Sequence, residues 1–342
     1  MTTATDRDRL SVVVPCYNAD NDLEMCLEAL RLDGGHELDI LVVDDASTQG
    51  DPGAVARRHR ARHLRLPENA GPAVARNAGV AATDKPFILF VDADVRVHEG
   101  TIDKALAALQ ESPDVGACFG SYDDQPRDPG FFSQFRNLYH RWVHQGGHRE
   151  ASTFWTGLGA VKRAAFDAAG GFSPALSRMG MEDIDLGYRL RDAGFRILLV
   201  KDMLGTHLKA WSAFSMMRTD IFHRGVPWML LLLARDGAPP DLNLGARSRW
   251  STAAGGVLPL ALILSPWWPP MLGIAIAALA VIVIFQWDYL RMVAGLKGSG
   301  FALACVPALA LFFFCAAVSI PIALLRHWSG RGLTGRLATP DQ

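Results

Sequence analysis

Phe87-Ile88-Leu89-Phe90-Val91-Asp92-Ala93-Asp94 is the most informative stretch of this chain. Five consecutive apolar residues without polar alternation describe a strand covered on both faces, as in a parallel sheet flanked by helices. Two carboxylates one residue apart follow at once. Such a pair can grip a hard divalent cation, and magnesium or manganese would then bridge it to a diphosphate.

The same pattern recurs on either side. Leu10-Ser11-Val12-Val13-Val14 is a β-rich run that ends at Pro15, and Leu38 to Val43 is another that ends in Asp44-Asp45. Leu23, Cys26, Leu27 and Leu30 repeat at helical spacing, Gly71 to Ala82 reads as a helix of small residues, and Thr101 to Gln110 as a further helix. Val115 to Phe119 is a strand. Strands alternating with helices imply an α/β domain with a mostly parallel sheet and helices on both faces. Ligands of such sheets bind beyond the carboxyl ends of the strands. Three polar clusters fall there: Pro15 to Asn18, Asp44-Asp45, and Asp92 to Asp94. Neither GxxxxGK[ST] nor GxGxxG occurs, so a metal must carry more of any phosphate neutralisation.

Composition sorts the chain into two parts. The 342 residues are 50% hydrophobic and 20% charged, with a net charge of −1. This excludes a disordered chain, and the lack of a basic surplus excludes a general nucleic-acid binder. The 92 residues from Ser251 hold only seven charges: Asp288, Arg291, Lys297, Arg326, Arg331, Arg336 and Asp341. The N-terminus has no long apolar core of a secretory signal, so the first domain is expected in the cytosol. Cys16, Cys26, Cys118, Cys305 and Cys315 are odd in number and form no CxxC pair, which speaks against structural zinc and disulfides.

Three apolar stretches fill the tail: Trp250 to Ser265, Met271 to Trp287, and Phe301 to Leu325, the first two separated by Pro266-Trp267-Trp268-Pro269-Pro270. A span needs about 20 helical residues, and tryptophans favour the interfaces. The pattern predicts a helical hairpin and a third helix, hence a multi-pass protein of the cell (inner) membrane. Arg247, Arg249, Arg291 and Lys297 place the hairpin ends in the cytosol, whereas Arg326, Arg331 and Arg336 would follow an odd number of crossings. The third stretch therefore either spans or is re-entrant. Val226 to Leu233, too short to span, suits an interfacial helix.

Taken together, the motifs resemble a family 2 glycosyltransferase of the GT-A fold. They are Ser11-Val12-Val13-Val14-Pro15-Cys16-Tyr17-Asn18, Val42-Val43-Asp44-Asp45-Ala46-Ser47, Asn69-Ala70-Gly71-Pro72 with Ala75-Arg76-Asn77-Ala78-Gly79, Phe90-Val91-Asp92-Ala93-Asp94, Thr156-Gly157 with Gly170-Gly171-Phe172, and Glu182-Asp183-Ile184-Asp185-Leu186-Gly187-Tyr188-Arg189-Leu190. The resemblance covers roughly residues 10 to 210. It implies the nucleotide-diphospho-sugar transferase fold, followed here by the transmembrane region.

The resemblance also implies roles. Pro15 and Tyr17 would line the base pocket, and Asp45 would accept a hydrogen bond from the base. Arg76 would sit near base and diphosphate. Asp92 and Asp94 resemble the DxD motif, with Asp94 favoured as the direct ligand of Mn or Mg, and His207 can complete the metal site. Glu182-Asp183 resembles the acidic motif of inverting members, with Asp183 as general base and Glu182 as a sugar or acceptor contact. Asp185 can cap its helix or pair with Arg189 at i+4. His140, His144 and His148 have metal-like spacing, but Gly146-Gly147 breaks the helix before the third, and a structural role is favoured. Trp155 and Trp211 could stack on sugar or lipid, though aromatic residues there are more often core. Ala19 replaces the commoner Glu. The QxxRW of processive synthases has its nearest match in Ala246-Arg247-Ser248-Arg249-Trp250, without the Gln.

These readings give a cytosolic transferase domain over 1–222, an interfacial helix and linker over 223–249, about three transmembrane helices over 250–326 and a polar tail over 327–342. The expected activity is inverting transfer from a nucleotide-diphospho-sugar to a lipid acceptor, a polyprenyl phosphate or glycolipid. Membrane lipids are expected partners and nucleic acid is not. The alternatives are a processive exopolysaccharide synthase and a non-catalytic membrane scaffold.

Overall fold

The structure, a computed structural model, describes residues 4–235 and 245–331. They divide into two compact units. The first comprises Met1–Pro129 and His144–Ala210, the second Gly130–Val143 and Trp211–Gln342.

The first unit is built on β1 (Leu10–Cys16), β2 (Asp39–Asp44), β3 (Arg62–Arg65), β4 (Phe87–Val91), β5 (Val95–Val97), β6 (Val115–Tyr122), β7 (Glu150–Ala151), β8 (Leu158–Lys162) and β9 (Arg196–His207). The order is β3-β2-β1-β4-β8-β6-β9-β5, with β7 beside β9. β3, β2, β1 and β4 run parallel, β8 is antiparallel to both β4 and β6, and β6 is parallel to β9.

The unbroken apolar runs are explained by burial on both sides. Successive residues point to opposite faces. On one face Val12, Val14, Ile40, Val42, Leu89 and Val91 pack with Leu23, Leu27, Leu30, Ile102 and Leu106 from helices Asp20–Gly34 and Thr101–Gln110. On the other, Val13, Leu41, Val43, Ile88 and Phe90 pack with Ala73, Val80, Leu186 and Leu190 from helices Pro72–Ala81 and Glu182–Asp192.

In the second unit Phe135, Leu138 and Tyr139 of helix Phe131–Gly146 share a core with Tyr289, Val293, Cys305, Leu309 and Phe313. The three apolar stretches of the tail differ from one another. The first is helix Ala246–Leu264, 19 residues with Arg247 and Arg249 in its first turn. The second is split: Pro270–Phe285 stops at Gln286, whose amide donates to the Ser251 hydroxyl at 3.0 Å, and Trp287–Lys297 leaves at 68°. The third, Ser299–Arg326, runs unbroken through Pro307 and Pro321 for 28 residues.

Among the described residues one helix, Ser299–Gly330, is long and apolar enough to cross a membrane, or two if the bent pair counts as one span. About three spans were expected; here the second stretch is broken at Gln286, and the first carries Arg247 and Arg249 in its first turn. Many apolar side chains face outward here, among them Ile263, Ile276, Ile284 and Leu303. Helix Val226–Ala234 buries Val226, Pro227, Leu230 and Leu231, and Gly225 abuts Ser319 of the long helix, so its apolar side is used in packing. Residues 236–244 of the expected linker and 332–342 of the expected polar tail, with Arg336 and Asp341, lie outside the described residues.

Candidate active site

The parallel pairing of β1, β2 and β4 brings three polar strand ends to one edge. Cys16 lies opposite Asp44, Val13 opposite Phe90, and the Asp45 amide donates to the Cys16 carbonyl at 2.9 Å. The loops beyond are cross-tied. Asn18 accepts at Oδ1 from the Thr48 and Gln49 amides, and its own amide donates to the Ser47 hydroxyl. Asn18 (φ 52°) and Ala46 (φ 57°) occupy the left-handed region, which side chains other than glycine adopt at a cost. Pro15 is partly buried at the end of β1, and the Tyr17 ring beyond it is 45% exposed. Asp45 is buried and accepts at both oxygens, from the Ala70 and Gly71 amides at 2.8 Å each. It thereby fixes the loop that opens helix Pro72–Ala81.

Arg76, on that helix and buried, is the hub of the site. Its guanidinium donates to Asp92 Oδ1 at 2.7 Å and to Glu182 Oε1 at 2.9 Å, and lies 5.7 Å from the Phe172 ring centroid. Arg76 Nε and Glu182 Oε2 are buried without hydrogen-bond partners. Burial pushes the Glu182 carboxyl up to about 7; Arg76 pulls against that and neighbouring Asp183 adds to it. The Asp183 carboxylate stands at the first turn of helix Glu182–Asp192 and accepts from the Ile184 amide at 2.8 Å. Its helical neighbour Asp185 pairs with Arg189 at 2.7 Å, and Arg189 also donates to the Gly171 carbonyl, so this acid anchors the helix.

The register of β5 against β9 sets Val95 opposite His207, and the Leu208 amide donates to the Asp94 carbonyl at 2.8 Å. Asp94 Oδ2 consequently lies 3.7 Å from His207 Nε2. That is too long for a hydrogen bond, and wider than the ~3 Å between two adjacent ligands that each sit ~2.1 Å from one ion. The carboxylate oxygen is a donor that suits Mn or Mg, whereas an imidazole nitrogen more commonly serves softer divalent metals. Burial works to raise the Asp94 carboxyl, but His207 and Lys209 outweigh it and hold it below the usual range. His207 is stacked on Tyr122 at 4.5 Å, which fixes its ring. Asp92, two residues before Asp94 in the chain, has one oxygen on Arg76, and among the described residues no group of three such side chains converges.

Some site residues are not readable from motifs. Asp22 pairs with Arg127 at 3.1 Å, and both line a polar cavity of about 360 Å³ with Asn18, Asp20 and Gln49. Burial, then the charge of Asp94, raises the Asp22 carboxyl, against Arg127 and His207. The acid–rich Asp20-Asn21-Asp22 just past Ala19 was the available signal. Ser177 accepts from the Ala73 amide at 2.9 Å, tying a distant loop to helix Pro72–Ala81. The histidine series is structural at its centre: His144 Nδ1–H donates to the Gly120 carbonyl, and its ring meets Phe119 and Trp155 edge-on. His148 lies past the helix end at Gly146. Trp155 also packs on Tyr122, and Trp211 carries Arg136 over its face at 5.2 Å.

The mixed sheet, with carboxylates gathered at one edge, has the GT-A fold. Residues 11–168 match the model of glycosyl transferase family 2, and residues 136–210 match a model described as the N-terminal domain of galactosyltransferase. Over residues 11–168 the chain is similar to glycosyltransferase family 2. It is 34% identical over 116 residues to the uncharacterized glycosyltransferase YibD of Escherichia coli, 32% of this chain and 33% of that one. It is 27% identical over 242 residues to the N-acetylglucosaminyl-diphospho-decaprenol L-rhamnosyltransferase of Mycobacterium tuberculosis, 60% of this chain and 78% of that one. The chain spans between 15% and 42% of the length of the first curated relatives it matches. Among solved structures, the mannosyltransferase PcManGT of Pyrobaculum calidifontis, in complex with GDP-Man and Mn2+, superposes with a TM-score of 0.56 at 24% identity, over 94% of this chain and 88% of that one. At that identity the likeness speaks to fold alone.

Proposed function

We propose that this protein is a membrane-anchored inverting glycosyltransferase, which moves a sugar from a nucleotide-diphospho-sugar to a polyprenyl-linked acceptor. The observation that carries the reading is the buried Arg76, which ties Asp92 at the end of β4 to Glu182 beside Asp183. A donor-side acid and an acceptor-side acid are thereby held in one arrangement. Pro15, Tyr17 and Asp45 would receive the base. Asp94 and His207, with Asp92, would hold Mn or Mg, which supplies positive charge to a leaving diphosphate. Asp183 takes the proton of the acceptor hydroxyl as its oxygen attacks the anomeric carbon from the face opposite the diphosphate. The C–O bond to the diphosphate breaks and the configuration inverts. Glu182, fixed by Arg76, contacts the sugar or acceptor. The lipid-linked acceptor is supported by the M. tuberculosis relative and by the outward-facing apolar helices.

The test is a screen of nucleotide sugars against polyprenyl-linked acceptors in membranes, following nucleotide release with and without manganese. Asp183→Asn is expected to lower turnover ~10²–10⁴-fold, the usual weight of a general base. Release that persists in this variant overturns the base assignment, and a long polymer as product would favour a processive synthase.

A further inference from the structure

Beyond the active site, residues 213–225 present an unusual outer face. A capping box of Ser212 and Ser215 opens helix Ala213–Arg218, which passes into the wide i→i+5 turns of Thr219–Gly225. Phe214 is 76% exposed and Phe222 47% exposed, and Arg218 between them is also exposed. Steps of four residues set these three on one side of the helix. His223 and Arg224 extend the exposed basic edge. The one acid of the segment, Asp220, is turned inward and neutralised by the buried Arg136. Outward, the segment therefore carries only aromatic and basic groups. It continues directly into helix Val226–Ala234, which packs along the long apolar helix at Ser319.

Aromatic side chains beside cations, with no exposed acid, are what an interfacial helix offers to anionic headgroups. We propose that Ala213–Gly225 is a surface for anionic lipid, with Phe214 and Phe222 dipping into the headgroup layer and Arg218, His223 and Arg224 meeting lipid phosphates. This deepens the membrane-anchored reading and rests on it. It also moves the interfacial role from Val226–Ala234, whose apolar side is already packed, to the segment before it.

The full chain in nanodiscs tests this. The five native cysteines are buried, so Phe214→Cys, Phe222→Cys and, as a reference in water, Leu32→Cys can each carry an environment-sensitive fluorophore. In discs of phosphatidylcholine with phosphatidylglycerol, the labels at 214 and 222 should show blue-shifted emission and quenching by headgroup-level nitroxide lipid, several-fold above the label at 32. Quenching should fall several-fold in phosphatidylcholine alone, in high salt, or on reversal of charge at Arg218, His223 and Arg224. Water-like emission at both sites, or quenching that ignores lipid charge, overturns the proposal. Co-elution of protein with discs reports the anchor separately. Co-elution without quenching counts against this segment alone, and loss of co-elution overturns both readings.

Discussion

At Arg76 one buried guanidinium neutralises two carboxylates, Asp92 and Glu182, which lie 16 and 106 residues away in the chain. Each of the three stood out through the family resemblance of its motif, Asp92 also as an acid at the end of an apolar strand. Their mutual contact did not, since only the fold sets helix Pro72–Ala81 between β4 and helix Glu182–Asp192. The burial of Glu182 at this contact has a measurable pH signature. Burial raises the Glu182 carboxyl from its ordinary 4.5 to about 7. The folded protein then binds that proton more tightly than the unfolded chain, so the stabilisation is full below 4.5 and is lost as pH climbs to about 7. Glu182→Gln removes the titration. The melting temperature of the wild type relative to this variant should therefore fall between about pH 5 and about pH 7.5. A difference that stays flat across the range would show that Arg76 keeps Glu182 ionised throughout.

Among the elements, helix Glu182–Asp192 shows how packing fixes the position of a site. Gly187 faces the backbone of Thr153 and Phe154, and a Cβ there would meet Thr153 C at 2.8 Å and Thr153 Cα at 2.9 Å. Backbone cannot rotate away as a side chain can, so Gly187→Ala must push the helix outward. We expect a loss of about 1–3 kcal/mol in thermal unfolding. A larger proportional loss in turnover should accompany it, because Glu182 and Asp183 ride on the displaced helix and reactions tolerate little misplacement. Full activity in a stable Gly187→Ala variant would mean that the helix start is positioned by other contacts. The apolar runs of β1, β2 and β4 were readable because burial on both faces leaves no polar alternation. Helix Phe131–Gly146 was less so. Its histidines draw the eye, while Phe131, Phe135, Leu138, Tyr139 and Trp142 mark the apolar stripe at helical spacing. The break at Gln286 was hidden for a related reason: one amide in a long apolar run reads as tolerated, yet its bond to Ser251 accompanies the end of the helix.

For the whole molecule, the two units are interleaved rather than consecutive. Composition divides the chain once, near Ser251, because charge density changes there. Compactness divides it differently, after Pro129, after Val143 and after Ala210. The difference arises because Gly130–Val143, of ordinary polarity overall, concentrates its apolar side chains on one stripe and buries them with helices far along the chain. Phe135 and Leu138 are fully buried there, and the Tyr289 hydroxyl donates to the Phe135 carbonyl at 3.3 Å. A fragment ending at residue 210 keeps every strand of the sheet but strips the cover from that stripe. It should consequently behave unlike a separable catalytic domain, since contiguous exposed apolar surface drives association. Size-exclusion chromatography of residues 1–210 should show aggregates that mild detergent disperses. Replacing Phe131, Phe135, Leu138 and Tyr139 together by polar residues should restore a monomer without detergent. A fragment that is monomeric unaided would mean that the stripe is covered without residues 211–342.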